Sequence, residues 1–203
     1  METQAEDKIS HRLLLCLTVL QQEVLDKSKD DFTNEKVKRF VECVQTYAQV
    51  QTKAFVTLVF ANNYMAAHHF LRLMSDCALR VYAVSLFKGK NLEKCMDKFF
   101  DGQEPKTYPK YKGKNLEPAY IIELVKQEIA QERQDIEPHW LEYILFCQKE
   151  GNFSTHLSPF YLSDESDKLT NILKADVIGF YTSLLVFLGS LLCRLKLSPF
   201  TFQ

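Results

Sequence analysis

Val177-Ile178-Gly179-Phe180-Tyr181-Thr182-Ser183-Leu184-Leu185-Val186-Phe187-Leu188-Gly189-Ser190-Leu191-Leu192-Cys193 is a run of 17 residues without a charge, bounded by Asp176 and Arg194. Whether it crosses a bilayer or fills a protein core sets what the other helices must do. A bilayer span needs roughly 20 apolar residues, so the run sits at the short edge of that requirement. Gly179, Tyr181, Thr182, Ser183, Gly189 and Ser190 also dilute its hydrophobicity. A soluble helix apolar on every side belongs at the centre of a bundle, and we read the run that way. A C-terminal membrane anchor is the alternative.

Working outward, the chain supplies helices to surround it. Residues 5–29 place Ile9, Leu13, Cys16, Leu17, Leu20 and Val24 at helical spacings, and Asp30, Asp31 and Thr33 offer a stop and a new cap beside Phe32. A second helix is expected over about 34–61, with Val37, Phe40, Val41, Val44, Tyr47 and Ala48 inward. Asn62-Asn63 is the break before a third, over about 64–87, unless the two form one bent rod. Further helices are expected over about 92–100, 117–132, 137–150 and 165–195, with Pro118 tolerated in a first turn. No strand-like alternation occurs. Six glycines and six prolines in 203 residues are too few for the turns of a β-sandwich or barrel, and 46% hydrophobic residues at net charge −1 exclude a disordered chain. The expected fold is all-α: one domain over 1–203, six or seven helices around a buried third helix and the C-terminal helix, with an irregular basic loop at about 101–115.

The compartment follows from smaller signals. The apolar stretch at 13–20 is short and follows Glu2, Glu6 and Asp7, unlike a secretory signal. Cys16, Cys43, Cys77, Cys95, Cys147 and Cys193 form no CxxC and sit among apolar residues. These features suggest a reducing, cytoplasmic setting.

Polar residues in apolar company mark candidate sites. His68, Arg72, Asp76 and Arg80 recur every fourth residue and share one face of the third helix. Asp76 can serve both arginines, which makes a register-fixing salt-bridge ladder one reading. Two guanidinium groups over one carboxylate leave spare positive charge, and the functional reading is an anion site built from Arg72, Asp76 and Arg80. The loop around Ser154 and His156 is a second candidate, with an imidazole among hydroxyls able to act as acid or base or to join a ligand site. His68-His69 and His139 lack the company a metal site needs, and no GxxxxGK[ST] or other cofactor motif occurs.

The third candidate is electrostatic. Residues 88–114 carry eight lysines against Glu93, Asp97, Asp101 and Glu104, a window of +4 in a chain otherwise at −5. Within it Lys106, Lys110, Lys112 and Lys114 alternate with Tyr108 and Tyr111, a composition able to hold phosphates and stack on bases, or simply to face solvent. The hexapeptide Lys88-Gly89-Lys90-Asn91-Leu92-Glu93 recurs as Lys112-Gly113-Lys114-Asn115-Leu116-Glu117. Gly89 and Asn91 read as a helix stop and an N-cap, so the repeat suggests one cap design used twice, or paired phosphate sites.

Three patches carry a resemblance. They are Arg72…Asp76…Arg80-Val81-Tyr82, Gly113-Lys114…Tyr120-Ile121-Ile122-Glu123-Leu124, and Phe153-Ser154-Thr155-His156-Leu157-Ser158. Together they resemble a family of bacterial all-helical proteins that is in turn similar to HEPN-type domains, whose members include ribonucleases of toxin–antitoxin and antiphage systems. The resemblance implies a metal-independent ribonuclease with His156 as acid–base group and Arg72 or Arg80 on the phosphate. The chain departs from the HEPN pattern: Lys149-Glu150 stands where the arginine is expected, and lysine lacks arginine's bidentate grip. Three functions are therefore carried forward. The first is a binding or regulatory module for an anionic small molecule or a partner, the second the ribonuclease acting on RNA, and the third a structural subunit that could pair with a second copy. No DNA-binding motif is present.

Overall fold

The computed structural model describes residues 2–26, 32, 34–132 and 171–197. Those residues are 83% helical, in six helices without a strand, which is an all-α bundle. In chain order they are α1 (Glu2–Val19), continued by a π-helical segment (Leu20–Asp26), α2 (Glu35–Phe60), α3 (Tyr64–Ser85), α4 (Gly89–Phe100), a 3₁₀ turn (Pro105–Thr107), α5 (Pro118–Glu132) and α6 (Asn171–Leu197). The helix expected at 137–150 and the start of the one expected from 165 lie outside the described residues.

The uncharged run forms most of α6. Val177, Ile178, Tyr181, Leu184, Leu185, Leu188, Leu191, Leu192 and Leu195 are buried, a spacing of three and four that faces α3 on one side and α1 on the other. The helix is long and apolar enough to cross a membrane by length and composition, yet here it is the bundle's packing centre. One polar pair is built into that centre. Thr52 gives its proton to the Ala48 carbonyl at 2.7 Å, so the Tyr181 hydroxyl, 3.2 Å away, is the donor between the two. The Tyr181 ring stacks on Phe55 at 4.0 Å. Gly189 lets the backbone of the π-helical segment lie against α6, because a Cβ there would stand 2.6 Å from the Glu23 carbonyl oxygen. Gln45 of α2 donates to the carbonyls of Val24 and Leu25 at 2.8 and 3.2 Å, tying α2 to the end of the π-helical segment.

Several local expectations change. Leu13, Cys16, Leu20 and Val24 are buried, but Leu17 is 39% exposed beside the more exposed Leu14 and Leu15. α1 thus buries a narrower stripe than its composition suggests. The cap of α2 is Asn34, not Thr33; its side chain accepts from the amides of Lys36 and Val37 at 2.8 and 3.2 Å. α2 and α3 are separate helices packed on each other, not one rod. Asn62 reverses the chain at φ 57°, and Asn63 caps α3 by accepting from the Ala66 amide.

The repeated hexapeptide takes two conformations. In the first copy Gly89 (φ 54°) opens α4 after Lys88, which makes no side-chain cap, and Asn91 lies exposed inside the first turn. In the second, Lys112 and Gly113 have φ 48° and 79° and form a tight turn closed by reciprocal Tyr111–Lys114 backbone hydrogen bonds of 2.9 and 3.0 Å. The shared feature is the leucine: Leu92 and Leu116 are both buried. The two copies are therefore neither one cap used twice nor two equivalent phosphate cradles.

Candidate functional site

α3 presents Arg72, Asp76, Leu79 and Arg80 along one face at helical spacing, and the chain after α4 folds back across it. That return begins with the 3₁₀ turn. Thr107 donates its amide to the Glu104 carbonyl at 2.9 Å and its hydroxyl to the same oxygen at 2.8 Å, while Lys98 reaches the Thr107 carbonyl. Tyr108, 3% exposed, anchors the segment in the core. Leu116 buries behind the next stretch and Pro118 starts α5. Between α3 and this return lies a cleft of about 530 Å³, lined by the four α3 residues and by Glu104, Pro105, Lys106, Leu116, Glu117, Pro118 and Ile121.

The cleft has a definite charge order. Arg72 Nε donates to Asp76 Oδ2 at 2.7 Å, closing one turn of α3. Lys106 Nζ pairs with Glu104 Oε2 at 2.6 Å. That hydrogen bond, then the lysine's charge, hold the Glu104 carboxyl below its ordinary range, with Arg80 adding to the effect. Lys106 is raised in turn, mainly by Glu104, with Glu117 contributing. Arg80 is half-buried and makes no hydrogen bond or ion pair among the described residues. Asp76 therefore serves Arg72 and not both arginines, which corrects the ladder. The fourth member of the stripe, His68, is buried away from the cleft, and burial lowers its pKa from 6.5 to about 4.

The structure thus joins two candidates that the sequence kept apart, the arginine stripe and Lys106. It leaves the other residues of the basic loop outside the cleft. Tyr108 is buried with no hydrogen-bond partner for its hydroxyl, and burial pushes its pKa up to about 12. It offers no ring face for base stacking. Tyr111 is half-buried, packed edge-on against Phe87 at 5.9 Å, with Lys112 over its ring. Lys114 lies over Tyr120, and Lys110 is exposed. Ser154 and His156, with Lys149 and Glu150, lie outside the described residues. Of the three patches quoted from the sequence, the first gives the cleft Arg72, Asp76 and Arg80, the second gives it Ile121, and the third lies outside the described residues.

Sequence reasoning missed the cleft's carboxylate wall. Glu104 figured only as a charge to subtract, and Glu117 only as the end of a repeat and the start of a helix. It also missed a network that joins three helices. Tyr82 of α3 donates to Glu128 of α5 at 2.8 Å, and Arg194 of α6 bonds the other Glu128 oxygen. Burial raises the Glu128 pKa, but the bonds from Arg194 and Tyr82 outweigh it and the net shift is downward. The charge that ends the apolar run was the available signal.

Among the described cysteines Cys16, Cys77 and Cys95 are buried, Cys193 is partly buried and Cys43 is exposed. Burial raises Cys16 to about 11 and Cys77 and Cys95 to about 12, so they remain thiols at neutral pH. No group of three potential metal ligands occurs among the described residues. No protein-family model, curated protein or solved structure matches the chain.

Proposed function

We propose that the chain is a binding protein whose cleft between α3 and the start of α5 receives a ligand through an anionic group, with Arg80 as the principal contact. One observation carries this reading. Of the three cations lining the cleft, Arg72 and Lys106 are each held by a carboxylate, whereas Arg80 is not. A half-buried guanidinium without a partner is costly to keep, and its five donors match a carboxylate or phosphate in a planar fork. The Arg72–Asp76 and Lys106–Glu104 pairs then fix the walls on either side, so that little needs to reorganise when a ligand arrives.

The test is a resonance map. Mixtures of small anionic fragments added to ¹⁵N-labelled protein should move the amides of Leu79, Arg80, Lys106 and Ile121 together. The same mixtures should leave Arg80→Gln unmoved while its melting temperature stays within a few degrees of wild type. Shifts that persist in Arg80→Gln, or that fall elsewhere, would sink the reading.

A further inference from the structure

The charges around Arg80 constrain what can accompany its anion. Asp76, Glu104 and Glu117 balance Arg72, Arg80 and Lys106 one for one, so the cleft has no excess positive charge. Lys106 is paired with Glu104 at 2.6 Å and feels Glu117 as well, leaving it little attraction for a third anion. A ligand with several negative charges would satisfy Arg80 once and then face three carboxylates within one 530 Å³ space. The remaining lining is apolar: Leu79, Pro105, Leu116, Pro118 and Ile121. A space of this size, with one uncommitted guanidinium among paired charges and five apolar residues beside it, suits the charged end and apolar body of a small molecule.

Building on the reading of the cleft as a ligand site, we infer that it selects a small monocarboxylate with an aliphatic or aromatic body and rejects polyanions, oligonucleotides among them. The carboxylate lies in the fork of Arg80, and the body lies against the apolar residues of the cleft. Asp76 and Glu104 act as the discriminating groups: each holds a neighbouring cation in place and repels a second negative charge.

Three probes at matched ionic strength test this on the full chain: 4-phenylbutyrate, 4-phenylbutanol and citrate. Phenylbutyrate should move the Leu79, Arg80 and Ile121 amides saturably, phenylbutanol should bind more weakly, and citrate should leave them in place. Arg80→Gln should raise the dissociation constant for phenylbutyrate by about tenfold or more, the loss expected for a charge-assisted hydrogen bond. Arg80→Lys, which keeps the charge and loses the fork, should fall between the two and serves if the glutamine variant folds poorly. Citrate or a single-stranded RNA oligomer binding there more tightly than phenylbutyrate, in an Arg80-dependent way, would overturn the selectivity and leave the anion site standing. No Arg80-dependent shift with any probe would overturn both.

Discussion

Arg72 Nε lies 2.7 Å from Asp76 Oδ2 on α3, and that contact leaves Arg80, one turn beyond Asp76, without an ion pair among the described residues. Both partners are partly solvent-accessible, with side chains 28% and 41% exposed. Helical pairs four residues apart at such exposure stabilise by about 0.3–0.5 kcal/mol. The contact is therefore too weak to be the fold's fastening. Its consequence is electrostatic order: one guanidinium is occupied, and the next has no ion pair among the described residues.

This separates two variants that sequence alone would treat as equivalent. Asp76→Asn should cost no more than about 1 kcal/mol, a melting shift of a few degrees, because the pair is half-exposed. It should also relax the cleft's discrimination against multiply charged anions. Arg80→Gln should leave stability unchanged or slightly improved, since it removes a half-buried charge that makes no ion pair among the described residues. Thermal melts of the two proteins, run beside the titrations above, check the contrast. A loss of several kcal/mol in Arg80→Gln would mean that the guanidinium is structural after all.

The two glycines of α6 should respond with opposite signs. Alanine within a helix is ordinarily about 1 kcal/mol better than glycine. At Gly179 the new Cβ would meet Arg12 Nη1 at 3.1 Å, the far end of a flexible side chain that can move aside. Gly179→Ala should be neutral or stabilising by up to about 1 kcal/mol. At Gly189 the new Cβ would meet the Glu23 carbonyl oxygen at 2.6 Å and its carbon at 2.9 Å, which are backbone atoms of the π-helical segment. Gly189→Ala should cost about 1–3 kcal/mol, the usual penalty of overpacking. Urea unfolding measures both; an unperturbed Gly189→Ala would mean that α6 and the π-helical segment are not in contact there.

How far these features were legible depends on the distance over which their cause acts. The α6 core face, the Asn62-Asn63 break and the 72/76/80 register follow from local spacing, and they read directly. Leu17 was misplaced because a three-and-four pattern does not reveal how wide a stripe the neighbours cover. The hexapeptide diverged because its second copy is bent by the Tyr111–Lys114 bonds and by burial of Leu116, which lie in the context and not in the repeat. Glu104 and Glu117 share the arginines' cleft because the segment after α4 folds back across α3, with Tyr108 buried in the core, a tertiary event with no periodicity to announce it. The basic window likewise lost its prominence when Glu104 proved to hold Lys106.

Acid stability should decline in two windows with different owners. His68 titrates near 4 in the folded chain against an ordinary 6.5, so below about 6.5 the unfolded chain takes up a proton that the folded one refuses. Stability therefore falls as the pH drops from 6.5 towards 4, by up to about 3 kcal/mol for a shift of this size. Glu128 acts later. Its folded pKa lies below its ordinary 4.5, so its contribution is intact above that value and lost as the pH falls through the folded one. His68→Gln should flatten the first window and Glu128→Gln the second, whatever each costs at neutral pH. Equilibrium unfolding at half-unit intervals from pH 7.5 to 3 checks both assignments. An unchanged slope between 6.5 and 4.5 in His68→Gln would show that its burial does not govern that window.

Single-stranded RNA gives the sharpest comparison with the ribonuclease reading. Tyr108 is buried and Tyr111 is packed against Phe87, so neither ring is free to stack on a base. The contacts that remain are Lys110, Lys112 and Lys114, exposed outside the cleft. Two or three lysine–phosphate contacts on a single strand correspond to a slope of log K against log salt of about −1.4 to −2.1. Oligouridylate binding should therefore be weak, show that shallow slope, and disappear when the three lysines become glutamates. Phosphodiester cleavage should be undetectable in EDTA, with wild type and His156→Ala alike. Degradation that survives chelation and is abolished by His156→Ala would displace the ligand-binding reading, because it would require His156 and a cleft arginine to meet on one phosphate. A slope several times steeper would instead mean that the arginines take part in RNA binding, which the carboxylates at Asp76, Glu104 and Glu117 oppose.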